Sequence, residues 1–430
     1  MSASAALHRS PVNVLVLNAG SSSLKFTMYA MDKEKFLARG IIERIGLNEP
    51  FMKYERHDGR SFKELAAVSN HEEALELICA KLVDSDIGVL TSLVDVEAIG
   101  HRVVHGGENF HDSVIVTDEV KNNIRECSSL APLHNPPNLG GIEACEKVFE
   151  DVPNIAVFDT AFHHSMPASS YLYAIPYEYY EKYGIRKYGF HGTSHKFVSY
   201  ATADLLGTPL GELKLITAHL GNGASITAVE RGNVLDTSMG MTPLNGLVMG
   251  TRCGDIDPAV VLYLARRGMT PDDIDRLLNK CSGLLGVSGI GSGDMRDNLT
   301  AAEAGNMQAQ RAIRMFVQRL VTYIGSYFTI LGGADAVVFT GGIGENSAVI
   351  REQVIQKLAC LGCILDVEKN RQTHGRPAII STPESKLKAI VMPTNEELMI
   401  ARETVRLLTV PTKAIPTPNS CTPSCACKQE

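Results

Sequence analysis

The chain of 430 residues is 44% hydrophobic and 21% charged, which is ordinary for a globular protein. Its formal net charge of −7 argues against a nucleic-acid partner, whose binding surface would be basic. No uncharged apolar run reaches the roughly 18 residues of a membrane-spanning helix, so we expect no membrane partner either. At roughly 150 residues per domain, the length predicts two or three domains.

The two ends of the chain differ in composition from the rest. Residues 1–11 are small, rich in serine and alanine and free of acidic side chains, which faintly resembles an organelle transit peptide. Residues 412–430 carry cysteines among proline, threonine and serine. We expect both ends to be flexible. We also expect a cytoplasmic protein, or one in the matrix of a mitochondrion or plastid if residues 1–11 belong to a targeting segment.

The stretch after the N-terminus predicts two buried strands joined by a small polar turn. Residues 12–17 are aliphatic apart from Asn13, residues 18–23 are small and polar, and an apolar alternation resumes at residues 24–28. Such a turn lets backbone N–H groups approach an anion. Asn18 could hold a metal or its water shell and Lys25 a phosphate, although an ordinary hairpin explains the same pattern.

Two polar residues then follow predicted strands. Residues 46–70 are polar and predict turns, and a helix is expected over residues 71–85. Arg102 ends the strand predicted at residues 94–104 and precedes two glycines, so it faces either a cleft or a surface ion pair. Asp159 follows the strand at residues 155–158, a recurrent position for site chemistry in α/β folds.

A histidine and a repeated hairpin come next. His191 lies before the helix predicted at residues 196–206, where Thr193 or Ser194 could act as the N-cap. Residues 214–230 again predict a strand, a small-residue turn and a returning strand. In that repeat Gly20 corresponds to Gly223 and Ser22 to Ser225, which indicates a duplicated pair of domains facing each other across a cleft.

The C-terminal half contains two further candidate sites. Residues 237–257 are too rich in glycine for a core element and predict an ordered loop, with Arg252 inside it. After helices at residues 258–267, 271–280 and 299–331, a strand at residues 336–340 leads into a glycine turn and a helix. Strand, glycine turn and helix N-terminus together predict an anion or nucleotide site.

These features together predict phosphoryl transfer from a nucleotide. The chain offers phosphate-type turns, two arginines facing a cleft, a carboxylate at a strand end, a histidine and a late acidic pair. Phosphoryl transfer mainly needs positioning and charge neutralisation of the transferring group. Arginine suits it, because the guanidinium fork matches both carboxylates and phosphoryl oxygens.

Nine stretches of the chain are long and unusual enough to be diagnostic together. They are NAGSSSLKF, GHRVVHGG, FDTAFH, RKYGFHGTSH, HLGNGAS, GTRCGDIDP, SGDMRD, GGIGEN and PTNEEL. The chain closely resembles the acetate kinase family, of the acetate and sugar kinase/actin superfamily, over residues 12–408.

The resemblance implies a fold and a reaction. The fold would be α/β, with two duplicated actin-like, ribonuclease H-like domains, each a mixed sheet flanked by helices, around a central cleft. Residues 1–159 plus 397–430 would form the acetate-side domain I, and residues 160–396 the nucleotide-binding domain II. The reaction would be reversible, Mg²⁺-dependent, direct in-line phosphoryl transfer from ATP to acetate, giving acetyl phosphate and ADP, in a homodimer.

The resemblance also implies roles, residue by residue. The catalytic residues would be Asp159, His191, Arg252 and Arg102. Arg102 would also bind the acetate carboxylate, and the substrate-binding apolar wall would comprise Val104, Leu133, Phe190 and Pro243. The nucleotide-binding residues would be Lys25, His219, Leu220, Gly221, Asn222, Gly223, Asp294, Met295, Arg296, Gly342, Ile343, Gly344, Glu345 and Asn346. Mg²⁺ would be held, directly or through water, by Asn18 and Glu396.

Three points stay open at the level of sequence. Acetate is already an anion and needs no general base, so we prefer Asp159 as an orienter of an arginine or of magnesium-bound waters. A propionate or butyrate kinase is an alternative, since one methylene in an apolar pocket is worth only ~1–3 kcal/mol. An actin-like nucleotide switch is a further alternative, against which Arg102 and Arg252 argue.

Overall fold

The computed structural model describes residues 12–409, in which the strands form two sheets. The two ends that were predicted to be flexible, residues 1–11 and the cysteine-bearing residues 412–430, lie outside the described residues. Within the described range, the first sheet has eight strands, which are β1 (Asn13–Gly20), β2 (Ser23–Ala30), β3 (Lys35–Glu43), β4 (Phe51–Arg56), β5 (Ser61–Leu65), β6 (Ala98–Val103), β7 (Val114–Ile115) and β8 (Asn154–Phe158). The second sheet has six, which are β9 (Lys214–Leu220), β10 (Ala224–Glu230), β11 (Asn233–Thr237), β12 (Ala336–Thr340), β13 (Ala378–Ile379) and β14 (Lys388–Val391).

The two sheets share one topology. Their strand orders are β5-β4-β3-β2-β1-β6-β8-β7 and β11-β10-β9-β12-β14-β13. In each, three antiparallel strands precede two strands that run parallel to the first. The five-strand unit therefore occurs twice, which confirms the predicted duplication of a mixed sheet.

The residue correspondence predicted for this repeat is wrong. Gly20 is the last residue of β1 and pairs with Ser23, so that hairpin turns through two residues. The second hairpin pairs Leu220 with Ala224 and turns through three residues, so Gly223 lies in the turn and Ser225 lies in β10. The difference in loop length shifts the register.

Helices cover both sheets. Within the described range they are α1 (His71–Leu82), α2 (Asp118–Glu126), α3 (Asn135–Val148), α4 (Ala168–Tyr171), α5 (Glu178–Tyr183), α6 (Gly192–Leu206), α7 (Pro258–Arg266), α8 (Pro271–Lys280), α9 (Gly283–Ser288), α10 (Met295–Glu303), α11 (Met307–Ile330), α12 (Gly341–Asn346), α13 (Ala348–Lys357), α14 (Val367–Gln372) and α15 (Glu396–Thr409). No helix among residues 12–409 is long and apolar enough to cross a membrane.

Close packing fixes the last helix against the first sheet. A Cβ at Gly100 in β6 would lie 2.5 Å from Thr404 Oγ1 and 2.7 Å from Ile400 Cγ2, so α15 approaches β6 across a position that has no side chain. The chain thus returns from the second sheet to the first. Glu396 and Glu397, in the first turn of α15, reach the ends of β1 and β6 as a result.

Several predicted elements differ from the structure. Residues 46–70 were predicted as turns, but they contain β4 and β5, whose polar residues lie on a partly exposed edge hairpin. The helix predicted at residues 299–331 is two helices, because Gly305 adopts a positive φ of 90° and Asn306 caps α11. The helix predicted from residue 196 begins at Gly192, so neither Thr193 nor Ser194 is its cap.

Candidate functional site

An arginine fork lies where two parallel strands of the first sheet end. Arg102 Nε donates to Asp159 Oδ1 at 3.0 Å, and Nη2 donates to Oδ2 at 2.6 Å. The Asp159 side chain is only 2% exposed, whereas that of Arg102 is 23% exposed. Burial alone would lower the pKa of the Arg102 guanidinium, but the Asp159 carboxylate raises it overall. Asp159 therefore holds a permanently charged arginine at a fixed angle.

The opening hairpin contributes to the same region. Asn18 lies in β1, directly opposite Lys25 in β2, rather than in the turn where the sequence placed it. Both side chains line a small pocket with Arg102, Glu396 and Glu397. Lys25 forms an ion pair with Glu397.

Glu396 is a carboxyl group in an environment that disfavours its charge. Burial raises its pKa to about 7; the charge of Arg102 opposes the shift, while Asp159 and Glu397 add to it. Among residues 12–409 it forms no ion pair, in contrast to Glu397 with Lys25. A cation bound beside Glu396 would therefore favour the ionised carboxylate, whose negative charge would in turn stabilise the cation.

His191 occupies a constrained turn between the two sheets. It has φ 57° and ψ 24° and precedes α6. A Cβ on the following residue, Gly192, would lie 2.2 Å from the Asp159 carbonyl oxygen, so the turn packs directly on the end of β8. The Nδ1 atom of His191 lies 2.9 Å from Ser225 Oγ, and the His191 ring stacks on that of His219 with centroids 4.3 Å apart.

The electrostatics keep this ring neutral. Burial lowers the pKa of His191 well below its usual value, and the neighbouring His219, His195, Arg102 and Arg252 lower it further. His191 can therefore act as a hydrogen-bond donor or acceptor in the resting protein, without a charge of its own.

Arg252 is a guanidinium without a carboxylate partner in the described part of the chain. Its Nη1 donates to the Pro243 carbonyl oxygen at 2.9 Å, and burial lowers its pKa. A Cβ placed on Gly223 would lie 3.5 Å from this Nη1 and 3.4 Å from His191 Nε2. The absent side chain of Gly223 leaves a space onto which a positive charge and an imidazole converge.

The predicted apolar wall is only partly assembled. Val104 and Phe190 are buried in one hydrophobic cluster. Pro243 is half-buried beside Arg252, to which its carbonyl is bonded. Leu133 is 61% exposed and lies outside that cluster.

The predicted nucleotide residues meet around one cavity of about 660 Å³. Those that line it are Gly221, Asn222, Asp294, Met295, Arg296, Gly342, Ile343 and Asn346. The sequence analysis missed five more lining residues, which are Leu299, Ser347, Ala348, Val349 and His374. Four chain segments far apart in sequence thus share one cavity.

Other predicted nucleotide residues lie elsewhere. His219, Leu220, Gly223 and Gly344 do not line the cavity. Lys25 lies in the first sheet, beside Glu397. The Glu345 carboxylate turns inward and accepts from the backbone N–H groups of Gly341 and Thr394, at 2.9 and 3.1 Å, so it ties the two loops together.

Backbone contacts join the loops that line the cavity to the segment that carries Arg252. The Gly250 N–H donates to the Asn222 carbonyl at 2.9 Å, and a Cβ on Gly293 would lie 2.5 Å from the Gly250 carbonyl oxygen. The turn at residues 221–223 therefore borders the cavity on one side and the Arg252–His191 space on the other.

Sequence reasoning missed residues at the start of α3. Burial lowers the pKa of His134, and the charges of Arg102 and Arg252 lower it further, which places the ring near both guanidinium groups. Asn138 accepts from the Val104 N–H at 3.1 Å and donates to the Ala19 carbonyl at 2.7 Å. The proline-rich run around these residues predicted only a break between elements, so their polar side chains were not predicted to belong to the site.

Comparisons with known proteins identify the family of the chain. The model of the acetokinase family matches residues 13–402. The chain is 50% identical over 398 residues to an acetate kinase of Halothermothrix orenii, covering 92% of this chain and 100% of that relative.

Solved structures give the same result for the fold. The crystal structure of Porphyromonas gingivalis acetate kinase is similar with a TM-score of 0.89 at 45% identity, over 92% of this chain and 99% of that chain. A propionate kinase from Francisella tularensis is similar with a TM-score of 0.85 at 43% identity, over the same shares.

Proposed function

The chain belongs to the acetokinase family and is a kinase with a carboxyl acceptor, and from that premise we propose that it transfers the γ-phosphoryl group of ATP reversibly to acetate. The products are acetyl phosphate and ADP. The observation that carries the proposal is the convergence of Arg252 and His191 beside a cavity shared by four chain segments, with the Arg102–Asp159 fork nearby.

Arg102 binds the acceptor carboxylate in this proposal. Its side chain is partly exposed, and Asp159 holds its guanidinium plane, so N–H groups on the other edge stay free for a carboxylate. Val104 and Phe190 supply the apolar surface for the methyl group. The acid is ionised before it binds, and therefore no residue has to remove its proton.

Arg252 and His191 stabilise the transferring group. The transition state spreads negative charge over three equatorial oxygens. Arg252 brings a charge that no carboxylate neutralises within residues 12–409, and His191 brings a ring nitrogen to the same space beside Gly223. Charge that develops in a buried site is stabilised there more strongly than in water.

The nucleotide lies in the cavity with its phosphates toward residues 221–223. That turn borders both the cavity and the Arg252–His191 space, so an ATP seated there points its γ-phosphoryl group at both side chains. In this proposal the acceptor carboxylate held by Arg102 attacks the γ-phosphoryl group directly and in line.

Asn18 and Glu396 fit the Mg²⁺ that the family uses. Both offer oxygen ligands to one pocket, and burial raises the pKa of Glu396 to about 7, so a cation bound beside it would stabilise the ionised carboxylate. Among residues 12–409, no group of three or more His, Cys, Asp and Glu side chains could hold an ion alone. Bound with ATP, Mg²⁺ would take further oxygens from phosphate and water, and it would neutralise phosphate charge.

We also propose a homodimer, with α7 in its interface. The helix PAVVLYLAR is largely apolar, yet none of its nine residues is buried in the described chain. Leu262 and Tyr263 are 57% and 56% exposed. Light scattering should show a dimer that Leu262→Glu converts to a monomer, while Val94→Glu, at another exposed apolar site, leaves it intact. A dimeric Leu262→Glu variant would exclude α7 from the interface.

The division into domains of residues 1–159 plus 397–430 and 160–396 stays a proposal, as does a cytoplasmic or organelle-matrix location. The two sheets and the return of α15 to the first sheet support the division.

The test of the function is acid-dependent turnover. ADP release is measured with ATP and Mg²⁺ on acetate, propionate and butyrate in turn. We expect the highest kcat/KM with acetate. A preference for propionate would keep the mechanism and change the substrate, and ADP release that no acid stimulates would refute the proposal.

A further inference from the structure

Four polar side chains, three of them buried and the fourth, His191, half-buried, form one continuous hydrogen-bond chain. His191 Nδ1 lies 2.9 Å from Ser225 Oγ, and Ser225 Oγ lies 2.7 Å from His195 Nε2. His195 Nδ1 in turn lies 2.7 Å from Thr217 Oγ1. Ser225, His195 and Thr217 are fully buried. We call this chain of His191, Ser225, His195 and Thr217 the Ser225 relay.

The hydroxyl groups restrict how protons are placed in the relay. Ser225 has one proton, so it donates to one imidazole and accepts from the other. With neutral rings, two arrangements satisfy every member. In the outward arrangement, His195 Nε2–H donates to Ser225, and Ser225 donates to His191 Nδ1, which leaves the His191 proton on Nε2. In the inward arrangement each hydrogen bond runs in the opposite direction. His191 then carries its proton on Nδ1, and its Nε2 is unprotonated and has a free lone pair.

The contacts at the two ends distinguish these arrangements. In the outward arrangement the Thr217 hydroxyl donates to His195 Nδ1, so it loses only its contact with the Thr227 carbonyl oxygen. That contact, at 3.5 Å, is at the limit of a hydrogen bond. The inward one points a lone pair from His191 into the space beside Gly223 where Arg252 also converges. Phosphoryl oxygens in that space repel a lone pair and accept from an N–H, so a bound phosphoryl group favours the outward arrangement.

We propose that Ser225 and His195 are positioning residues that hold His191 as a neutral donor, from Nε2, to the transferring phosphoryl group. The inference rests on the proposed function, in which His191 faces that group. Arg252 then supplies the charge, and His191 supplies a directed hydrogen bond without gaining a proton. The low pKa of His191, caused first by burial, is consistent with a ring that stays neutral.

A variant pair tests the kinetic consequence. Ser225→Ala removes the donor to His191, whereas Ser199→Ala removes an equally buried hydroxyl that donates to the His195 carbonyl at 2.7 Å. We expect Ser225→Ala to lower kcat by about 10- to 100-fold, with KM for ATP and acetate changed by less than about threefold, while Ser199→Ala keeps the kcat of the parent chain. Equal kcat values in the two variants would overturn the proposal.

A spectroscopic test reads the proton position in the unmodified chain, so it does not depend on the folding of Ser225→Ala. The protein, with ¹⁵N-labelled histidine, is bound to Mg²⁺, ADP, acetate and aluminium fluoride, a mimic of the transferring phosphoryl group. Long-range ¹H–¹⁵N correlations should show His191 with a protonated Nε2 and an unprotonated Nδ1, assigned by the loss of that signal in His191→Gln. A protonated Nδ1, alone or in an imidazolium, would overturn the proposal.

Different results would contradict the proposed function and the Ser225 relay. A parent chain without acetate-dependent ADP release contradicts the proposed function. An active parent chain in which His191 carries its proton on Nδ1 contradicts the relay alone.

Discussion

Replacing Asp159 by asparagine separates two roles that a carboxylate could have here. Asparagine keeps the size of the side chain and one acceptor oxygen, but it removes the charge. If Asp159 orients Arg102, the substitution acts through the arginine. If Asp159 acts as a general base, its effect does not depend on Arg102.

The geometry of the fork sets the expected magnitude. Asp159 accepts from Arg102 at 3.0 and 2.6 Å, and asparagine would set an NH₂ group against one of these donors. Loss of one charge-assisted bond costs about 1.5–3 kcal/mol, and the unsatisfied donor adds about 1–3 kcal/mol. Because Arg102 is partly exposed, we take about 3–4 kcal/mol, which corresponds to a loss of about 10²–10³-fold in kcat/KM for acetate.

A double-mutant cycle provides the assay. Acetyl phosphate is trapped with hydroxylamine, and kcat/KM for acetate is measured for the parent, Asp159→Asn, Arg102→Ala and the double variant. In the Arg102→Ala background we expect Asp159→Asn to cost less than about threefold. The full loss in both backgrounds would refute the orienting role and favour a general base.

A second fork in the same chain serves as the control. Arg39 donates to Glu55 at 2.9 and 2.8 Å, with the same bidentate geometry, but both side chains are more than 40% exposed. Glu55→Gln should leave kcat/KM unchanged and cost less than about 1 kcal/mol of unfolding free energy.

Three further predictions follow from single positions. Arg252→Lys keeps the charge but loses the planar fork, so kcat should fall by at least about tenfold; an unchanged kcat would contradict the role of Arg252. Gly223→Ala sets a methyl group 3.4 Å from His191 and 3.5 Å from Arg252, which the fold tolerates, so kcat should fall at least about tenfold while the thermal midpoint stays the same. Burial lowers the pKa of His101 to about 4, so as the pH falls the unfolded chain protonates this histidine before the folded chain does. The free energy of unfolding should therefore fall by up to about 3 kcal/mol as the pH drops from about 6.5 to about 4. In urea unfolding, His101→Gln should lose less stability over that range than the parent, and parallel pH profiles would contradict the shift.

The sequence placed the main site residues correctly relative to local elements. Arg102 and Asp159 were predicted at strand ends, and the structure joins them because β6 and β8 are parallel neighbours. The strand, glycine turn and helix at residues 336–361 were also predicted, although the glycine turn is the short helix α12. Local apolar patterns and glycines carry that information, because they reflect backbone geometry within a few residues.

The sequence could not reveal features set by long-range packing. Lys25 forms its ion pair with Glu397, which is 372 residues away. The strands β4 and β5 were missed because a hairpin with one partly exposed face lacks a strong apolar run. The Ser225 relay was not predicted, because its members come from the turn before α6, from α6 itself and from β9 and β10, and a buried serine or threonine in a strand is unremarkable in sequence.

The most direct test of the central claim is phosphorus-31 NMR of the full-length chain with ATP, Mg²⁺ and acetate. We predict an acyl phosphate resonance that grows with ADP in equal amounts and that grows far more slowly in Arg102→Ala and Arg252→Ala. Inorganic phosphate as the sole new product, or bound ATP that acetate does not turn over, would contradict phosphoryl transfer to a carboxylate by this chain.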